Sequence, residues 1–140
     1  HERVLEVGTG SGYQTAILSE LALEVFSVER LPELVTAASA RLEALGYFNV
    51  HLRCANGSVG WPEQAPYDGI LVTAAVPEIP GPLGDQLVEG GRVVLPIGPQ
   101  KAQVLVQAEK DHGTLRTREI TSCVFVPMIG EFGQPQEGGP

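Results

Sequence analysis

The stretch Arg3-Val-Leu-Glu-Val-Gly-Thr-Gly-Ser-Gly-Tyr13 decides the fold. Val4, Leu5 and Val7 make a short apolar run with strand propensity, cut off at Gly8, Gly10 and Gly12 before the helix-forming run Gln14-Thr-Ala-Ile-Leu18. The pattern predicts a strand, a glycine turn and a helix start. Residues without a Cβ let a ligand lie directly against the main chain at a helix N-terminus. The dinucleotide fingerprint asks for Gly-x-Gly-x-x-Gly, whereas here the spacing is Gly8-x-Gly10-x-Gly12 and Tyr13 takes the sixth position. Glu6, just before the first glycine, disfavours a pyrophosphate and favours a cation.

Outward from this turn, Tyr13 to Ala22 places Ala16, Ile17 and Leu21 on one helical face. Glu24 to Val28 reads as a second strand ending in Glu29-Arg30, and in doubly wound sheets that end faces the ligand. Glu29 lies one helix and one strand beyond the turn, the distance expected of an acid that accepts hydrogen bonds from ribose hydroxyls. Pro32 suits the first helical position and Glu33 the first turn, with Leu34, Ala38, Leu42 and Leu45 as the buried stripe and Gly46 as the stop. A third strand, Val50 to Cys54, runs into Asn56-Gly57. That pair is a turn signal in its own right, and it also lies where a side-chain amide or acid meets the amino group of an adenine. Tyr67 to Thr73 is the fourth strand. The loop after it, Thr73-Ala-Ala-Val-Pro77 and on to Pro80, is built of small residues that leave room for a substrate backbone. Pro82 to Leu87 reads as a short helix closed by Glu89-Gly90-Gly91, and Arg92 to Pro96 as a fifth strand. Gln103 to Lys110 and Leu115 to Val126, joined at Asp111-His-Gly113, form an antiparallel hairpin. Strand and helix alternate before the hairpin. A mostly parallel, twisted α/β sheet with helices on both faces and a C-terminal antiparallel hairpin follows.

Bulk composition narrows the function. A chain of 140 residues with 43% hydrophobic and 19% charged residues suits one soluble domain. The formal charge of −8, from 17 acidic and 9 basic residues without a basic cluster, argues against a nucleic-acid partner. No run reaches membrane-span length and no signal peptide is visible, so a cytoplasmic location is expected. Cys54 and Cys123 stand apart, with no second ligand at metal spacing, and read as buried small hydrophobes. His1, His51 and His112 are assigned no chemistry. Because His1 precedes a strand by only two residues, the chain is expected to be a piece of a longer protein. Residues 131–140, ending in a polar glycine-proline run, are expected to form a disordered tail after a domain spanning 1–130.

The segment Glu6-Val-Gly8-Thr-Gly10-Ser-Gly12 resembles the first motif of the class I S-adenosylmethionine-dependent methyltransferases, whose fold is Rossmann-like. More specifically, the chain resembles the protein-L-isoaspartate O-methyltransferases as far as Gly130. The resemblance rests on Val4 to Gln14, Arg41-Leu-Glu-Ala-Leu-Gly-Tyr47, Gly60 to Ile70, Val72-Thr-Ala-Ala-Val-Pro-Glu-Ile-Pro80 and Gly90-Gly-Arg-Val-Val-Leu-Pro-Ile-Gly-Pro99. A methyltransferase acting on bases or amides is expected to carry an Asn-Pro-Pro or Asp-Pro-Pro type loop after strand four, in place of this Thr-Ala-Ala-Val-Pro. The resemblance implies S-adenosyl-L-methionine as cofactor, and methyl transfer to the free carboxyl of L-isoaspartyl residues in damaged proteins. It places the cofactor against Glu6, Gly8, Thr9, Gly10, Gly12, Glu29, Arg30, Asn56 and Gly57. The substrate falls on Thr73, Ala74, Ala75, Val76 and Pro77, with Val126 and Pro127 on the other side. No metal is expected and the protein is expected to be a monomer. A carboxylate is ionised at neutral pH and a sulfonium is already activated, so neither a general base nor a catalytic His or Cys is needed.

Three departures stand against the family pattern. The family's serine-containing N-terminal motif would lie before His1, which leaves the catalytic residues of that segment unassigned. Asn56-Gly57 stands where Asp-Gly is usual, and Val126-Pro-Met-Ile129 where Val-Pro-Leu-Thr is usual. These departures motivate the alternative of a cofactor-binding but inactive module. A nicotinamide-dependent oxidoreductase is disfavoured by the glycine spacing.

Overall fold

The computed structural model describes residues 1–134. The strand signal at the N-terminus becomes β1 (Arg3–Val7), and the glycine turn leads into α1 (Tyr13–Leu21). There follow β2 (Glu24–Glu29), α2 (Pro32–Ala44), β3 (Val50–Cys54), β4 (Tyr67–Val72), α3 (Gly81–Asp85), β5 (Leu87–Ile97), β6 (Gln103–Asp111) and β7 (Thr114–Cys123). Two single 3₁₀ turns, Gly57–Val59 and Pro62–Gln64, fill the connection from β3 to β4. One seven-stranded sheet in the order β3-β2-β1-β4-β5-β6-β7 carries everything. Pairing is parallel from β3 through β5 and antiparallel across β5-β6 and β6-β7. The chain steps outward from β1 to β3, then returns to β4 on the other side of β1. With right-handed crossovers, α1 and α2 lie on one face and α3 on the other. The crevice of such a sheet opens at the carboxyl ends of β1 and β4, where the direction of progression reverses.

The core is apolar and central. Leu5, Val25, Val93 and Leu95 are fully buried, and so is Tyr67, whose ring lies 5.8 Å from that of Phe26. Burial on both faces is why Val4 and Leu5 stand side by side in β1 rather than alternating with polar residues, Glu6 being the buried exception. Among the described residues, no helix is long and apolar enough to cross a membrane.

Several sequence expectations shift. The buried side of α1 is not Ala16, Ile17 and Leu21 but Thr15 and Ser19, while Ile17 and Leu21 are exposed. The reason is polar: Thr15 bonds to Glu6, and Ser19 bonds to Asn49 at the head of β3. In α2, Ala38 and Leu42 are buried as expected, but Leu45 is exposed and Leu34 turns to the crevice. β5 begins at Leu87, five residues early, because buried Leu87 pairs with Tyr67 and a register shift absorbs the Glu89-Gly90-Gly91 stretch as a bulge. The last strand ends at Cys123 rather than Val126, since residues beyond it leave to bridge the loop after β4. Cys54 is exposed, being on the edge strand β3. Of the expected tail, Glu131–Gln134 folds into a turn: Gln134 N–H donates to the Met128 carbonyl at 2.7 Å and its side-chain amide to the Gly98 carbonyl at 2.9 Å. The rest of that expected tail, residues 135–140, lies outside the described residues.

Candidate cofactor cleft

At the carboxyl ends of β1, β2 and β4 opens a cleft of about 530 Å³. Its floor is the glycine turn. Gly8 stands at φ 105° and a Cβ there would come within 2.2 Å of the Thr73 hydroxyl, so no other residue fits. That hydroxyl donates to the carbonyls of Val7 and Gly8 at 3.1 Å each, tying the loop after β4 to the turn after β1. Gly12, at φ 88°, faces Ala38, where a Cβ would approach the Ala38 Cβ to 3.3 Å, so the start of α1 closes against α2. Arg41, one turn further along α2, donates to the Ser11 carbonyl and pins the outside of the same turn.

Glu29 is the acid of the cleft. One carboxylate oxygen accepts the Gly10 N–H and the other the Leu31 N–H, both at 3.0 Å. These bonds fix the carboxylate between the glycine turn and the start of α2, with a lone pair on each oxygen left over. Arg30 is the other charged residue of the lining, and Leu31, Leu34, Val28 and Val7 supply apolar walls. The far side is built by the last described stretch. Ala75 N–H donates to the Val126 carbonyl at 2.7 Å and Met128 N–H to the Ala75 carbonyl at 2.8 Å, a short parallel bridge that hangs Val126 to Ile129 over the cleft.

The structure brings Gly8, Gly10, Glu29, Arg30, Gly57, Thr73, Ala74, Val126 and Pro127 into one lining. Glu6, Thr9, Gly12, Asn56, Ala75, Val76 and Pro77 are not in it. Glu6 is the informative displacement. Its neighbour Val7 lines the cleft, so strand alternation turns Glu6 toward α1, where it is fully buried. There it accepts from Thr15 at 2.5 Å, Ser27 at 2.6 Å and Gln14 at 3.0 Å, and Thr9 pairs with Ser27 at 2.6 Å. Burial pushes the Glu6 carboxyl above its ordinary pKa; the hydrogen bonds from Ser27, Thr15 and Gln14 offset that only in part, and the nearby Glu29 charge adds to the rise. It braces the turn from beneath rather than touching what lies on it. Ala75 and Val76 are likewise fully buried, whereas Pro77 is exposed. Sequence reasoning passed over Val7, Val28, Leu31, Leu34, Met128 and Ile129 as lining. The available signal was positional, since the last residue of each parallel strand must border the crevice.

Residues 1–133 match the family model described as protein-L-isoaspartate(D-aspartate) O-methyltransferase. A relative named protein-L-isoaspartate O-methyltransferase 1, from Syntrophobacter fumaroxidans, is 50% identical over 133 residues, 95% of this chain and 62% of the relative. The protein-L-isoaspartate O-methyltransferase of Methanoculleus marisnigri is 50% identical over 140 residues, 100% of this chain and 64% of its own length. The chain thus spans somewhat under two thirds of these relatives. Among solved structures, one named protein-L-isoaspartate O-methyltransferase superposes with a TM-score of 0.88 at 36% identity, over 94% of this chain and 43% of the other. A Plasmodium falciparum beta-aspartate methyltransferase structure, in complex with S-adenosyl-L-homocysteine, gives 0.75 at 26% identity, over 91% and 66%.

Proposed function

Because the chain belongs to the protein-L-isoaspartate(D-aspartate) O-methyltransferase family, we propose that it is the cofactor-binding and methyl-transferring part of a protein repair enzyme. It methylates the free carboxyl of L-isoaspartyl residues in damaged proteins. S-adenosyl-L-methionine, when bound, supplies a methyl on a sulfonium: the substrate carboxylate forms the C–O bond as the C–S bond breaks, and the pair stays on sulfur. The observation that carries this reading is the acid Glu29, held by two backbone N–H groups across from Cβ-free Gly8 and Gly10 in a switch-point cleft.

The residues present fit such a cofactor. Glu29 retains acceptor capacity for ribose hydroxyls, and Leu31 and Leu34 offer apolar surface to a purine. Gly8 and Gly10 permit close approach of the ligand backbone, and Thr73 holds that turn in shape. Ala74 leaves space for the substrate main chain, with Val126 and Pro127 as the opposite wall. The described lining contains no His, Cys or Lys. None is required, since the accepting carboxylate is already ionised and what the protein supplies is alignment. The protein works as a single chain on damaged proteins or peptides in the cytoplasm, without a nucleic-acid or membrane partner. The net charge of −8 without a basic cluster supports the expected lack of a nucleic-acid partner.

The experiment is methyl transfer from S-adenosylmethionine to an isoaspartyl peptide and to its aspartyl twin. Transfer to the first alone is expected. Equal transfer to both, or none by the protein in its full length, would overturn the proposal.

A further inference from the structure

One buried side chain decides where the far side of the cleft begins. Gln103, at the start of β6, is 3% exposed. Its Oε1 accepts the Phe125 N–H at 2.6 Å. Its Nε2 donates to the carbonyls of Pro99 at 3.0 Å and Gln100 at 2.9 Å, and lies 3.4 Å from the carbonyl of Phe125. The amide cannot be reversed, because its NH₂ would then meet the Phe125 N–H and its oxygen would meet carbonyls. β6 and β7 pair with Gln103 opposite Cys123, and the same register carried further would set Lys101 opposite Phe125. The backbone of Lys101 is not there, since it lies in the turn closed by the Ala102 N–H on the Pro99 carbonyl at 3.2 Å. The primary amide of Gln103, which carries a donor and an acceptor on one edge as a peptide group does, takes its place as the last rung of the ladder. One residue on, the Val126 carbonyl accepts the Ala75 N–H at 2.7 Å and the chain crosses to the cleft. Met128 and the stretch after it have anchors of their own, in the Gln134 N–H on the Met128 carbonyl at 2.7 Å and the Phe132 N–H on the Ser58 hydroxyl oxygen at 3.2 Å. The Val126 end of the wall is the end that depends on Gln103.

We propose that Gln103 is a positioning residue for the peptide substrate: by holding the Phe125 N–H it sets Val126 and Pro127 opposite Ala74, the walls between which the acceptor main chain lies. This rests on the function proposed above, in which those walls face the substrate. Without the amide, the Phe125 N–H loses its acceptor in a half-buried place, and the chain regains one by swinging toward water with Val126 attached. The cofactor side is held by other bonds, from Glu29 to Gly10 and Leu31 and from Thr73 to the glycine turn, so the effect falls on the peptide. The two ends of the amide do different things. Oε1 acts on the wall through Phe125, whereas Nε2 acts on the turn after β5 through Pro99 and Gln100. Gln103→Leu removes both. Gln103→Glu keeps an acceptor for the Phe125 N–H and takes the amide donor away from the turn.

Methyl-transfer kinetics on the protein in its full length, with an isoaspartyl peptide varied at saturating S-adenosylmethionine, tests this beside calorimetry with S-adenosylhomocysteine. Gln103→Leu should raise the peptide KM by about tenfold or more, the scale of a buried donor left without its acceptor, with kcat and S-adenosylhomocysteine affinity within about threefold of wild type. Gln103→Glu should lower the melting temperature as Gln103→Leu does, yet keep the peptide KM within about threefold. A KM that rises in both variants in step with the fall in melting temperature would overturn the inference, since general loosening then accounts for it. So would a folded Gln103→Leu protein with the wild-type KM, or one whose cofactor affinity falls as far as its peptide affinity. Should Gln103→Leu not fold by its melting curve, Gln103→Ser, too short to reach Phe125, is read in its place. A wild type that transfers no methyl to the isoaspartyl peptide would overturn the function reading, and the inference with it.

Discussion

At the scale of single residues, the cleft depends on groups that do two things at once. Glu29 closes the glycine turn onto α2 through Gly10 and Leu31 and still presents acceptor capacity to a ligand. Glu29→Ala should therefore weaken S-adenosylhomocysteine binding by about 1.5 to 3 kcal/mol, the worth of hydrogen bonds to a charged group, as read by calorimetry. An unchanged affinity would remove Glu29 from the site. Gly8→Ala meets both a positive φ and the Thr73 hydroxyl, so a loss of about 3 kcal/mol in stability is expected in chemical denaturation. Glu6 makes a prediction about pH. Its folded-state pKa lies above the ordinary value of 4.5, so the folded protein holds that proton more tightly than the unfolded chain does. The resulting stability is present in full below the unfolded pKa and is lost as pH rises through the folded one. Compared with Glu6→Gln, whose side chain stays neutral, the wild type should be relatively most stable near pH 4 and lose ground toward neutrality. A difference in melting temperature that stays constant with pH would show that Glu6 titrates alike in both states.

Elements explain why two adjacent alanines have different fates. Thr73 to Val76 is itself a short strand-like piece, bridged to Pro127 on one side and to Ile97 on the other. Along it, Ala74 lines the cleft while Ala75 is fully buried. Ala74→Leu should therefore obstruct peptide methylation with little change in melting temperature. Ala75→Leu, by contrast, overpacks the interior and should cost about 1 to 3 kcal/mol of stability. Finding the reverse, with Ala75→Leu stable but blocked toward peptide, would put the residue-75 side chain in the cleft. Element boundaries were legible wherever a glycine or proline marked them. Gly8 to Gly12 separates β1 from α1, Pro32 opens α2 and Gly46 follows its end, and His112 and Gly113, both at positive φ, make the turn of the β6-β7 hairpin. The start of β5 was not legible, because the bulge at Glu89 to Gly91 looks like a terminator until Leu87 is seen paired with Tyr67.

For the whole molecule, the cleft lies where the sheet reverses its order, so a ligand there touches β1, β2, β4 and the last described stretch together. A ligand that joins so many segments must bind the folded state alone. S-adenosylhomocysteine at a hundred times its dissociation constant should then stabilise the chain by about 2.7 kcal/mol, measured as a rise in denaturation midpoint. No shift at that excess would mean that the ligand does not discriminate folded from unfolded chain.

The amino-acid sequence by itself determined the α/β class, the alternation of strand and helix, the glycine turn, and Glu29 as the acid at the end of β2. These are local: periodicity, the need for glycine at positive φ, and the distance along the chain from turn to acid. What only the tertiary structure decided is which side chains face the cleft. Glu6 and Thr15 turn inward because Glu6 accepts from Thr15 and from Ser27 across β1, α1 and β2, and Ser19 because it bonds Asn49 just before β3; no periodicity within a single element encodes that. Asn56 shows the same limit at one atom. Its sequence neighbours announce a turn in which its oxygen accepts from Ser58, but that Gly130 crowds that oxygen follows only from folding the chain's last described stretch, 74 residues beyond Ser58 at Phe132, back over the end of β3.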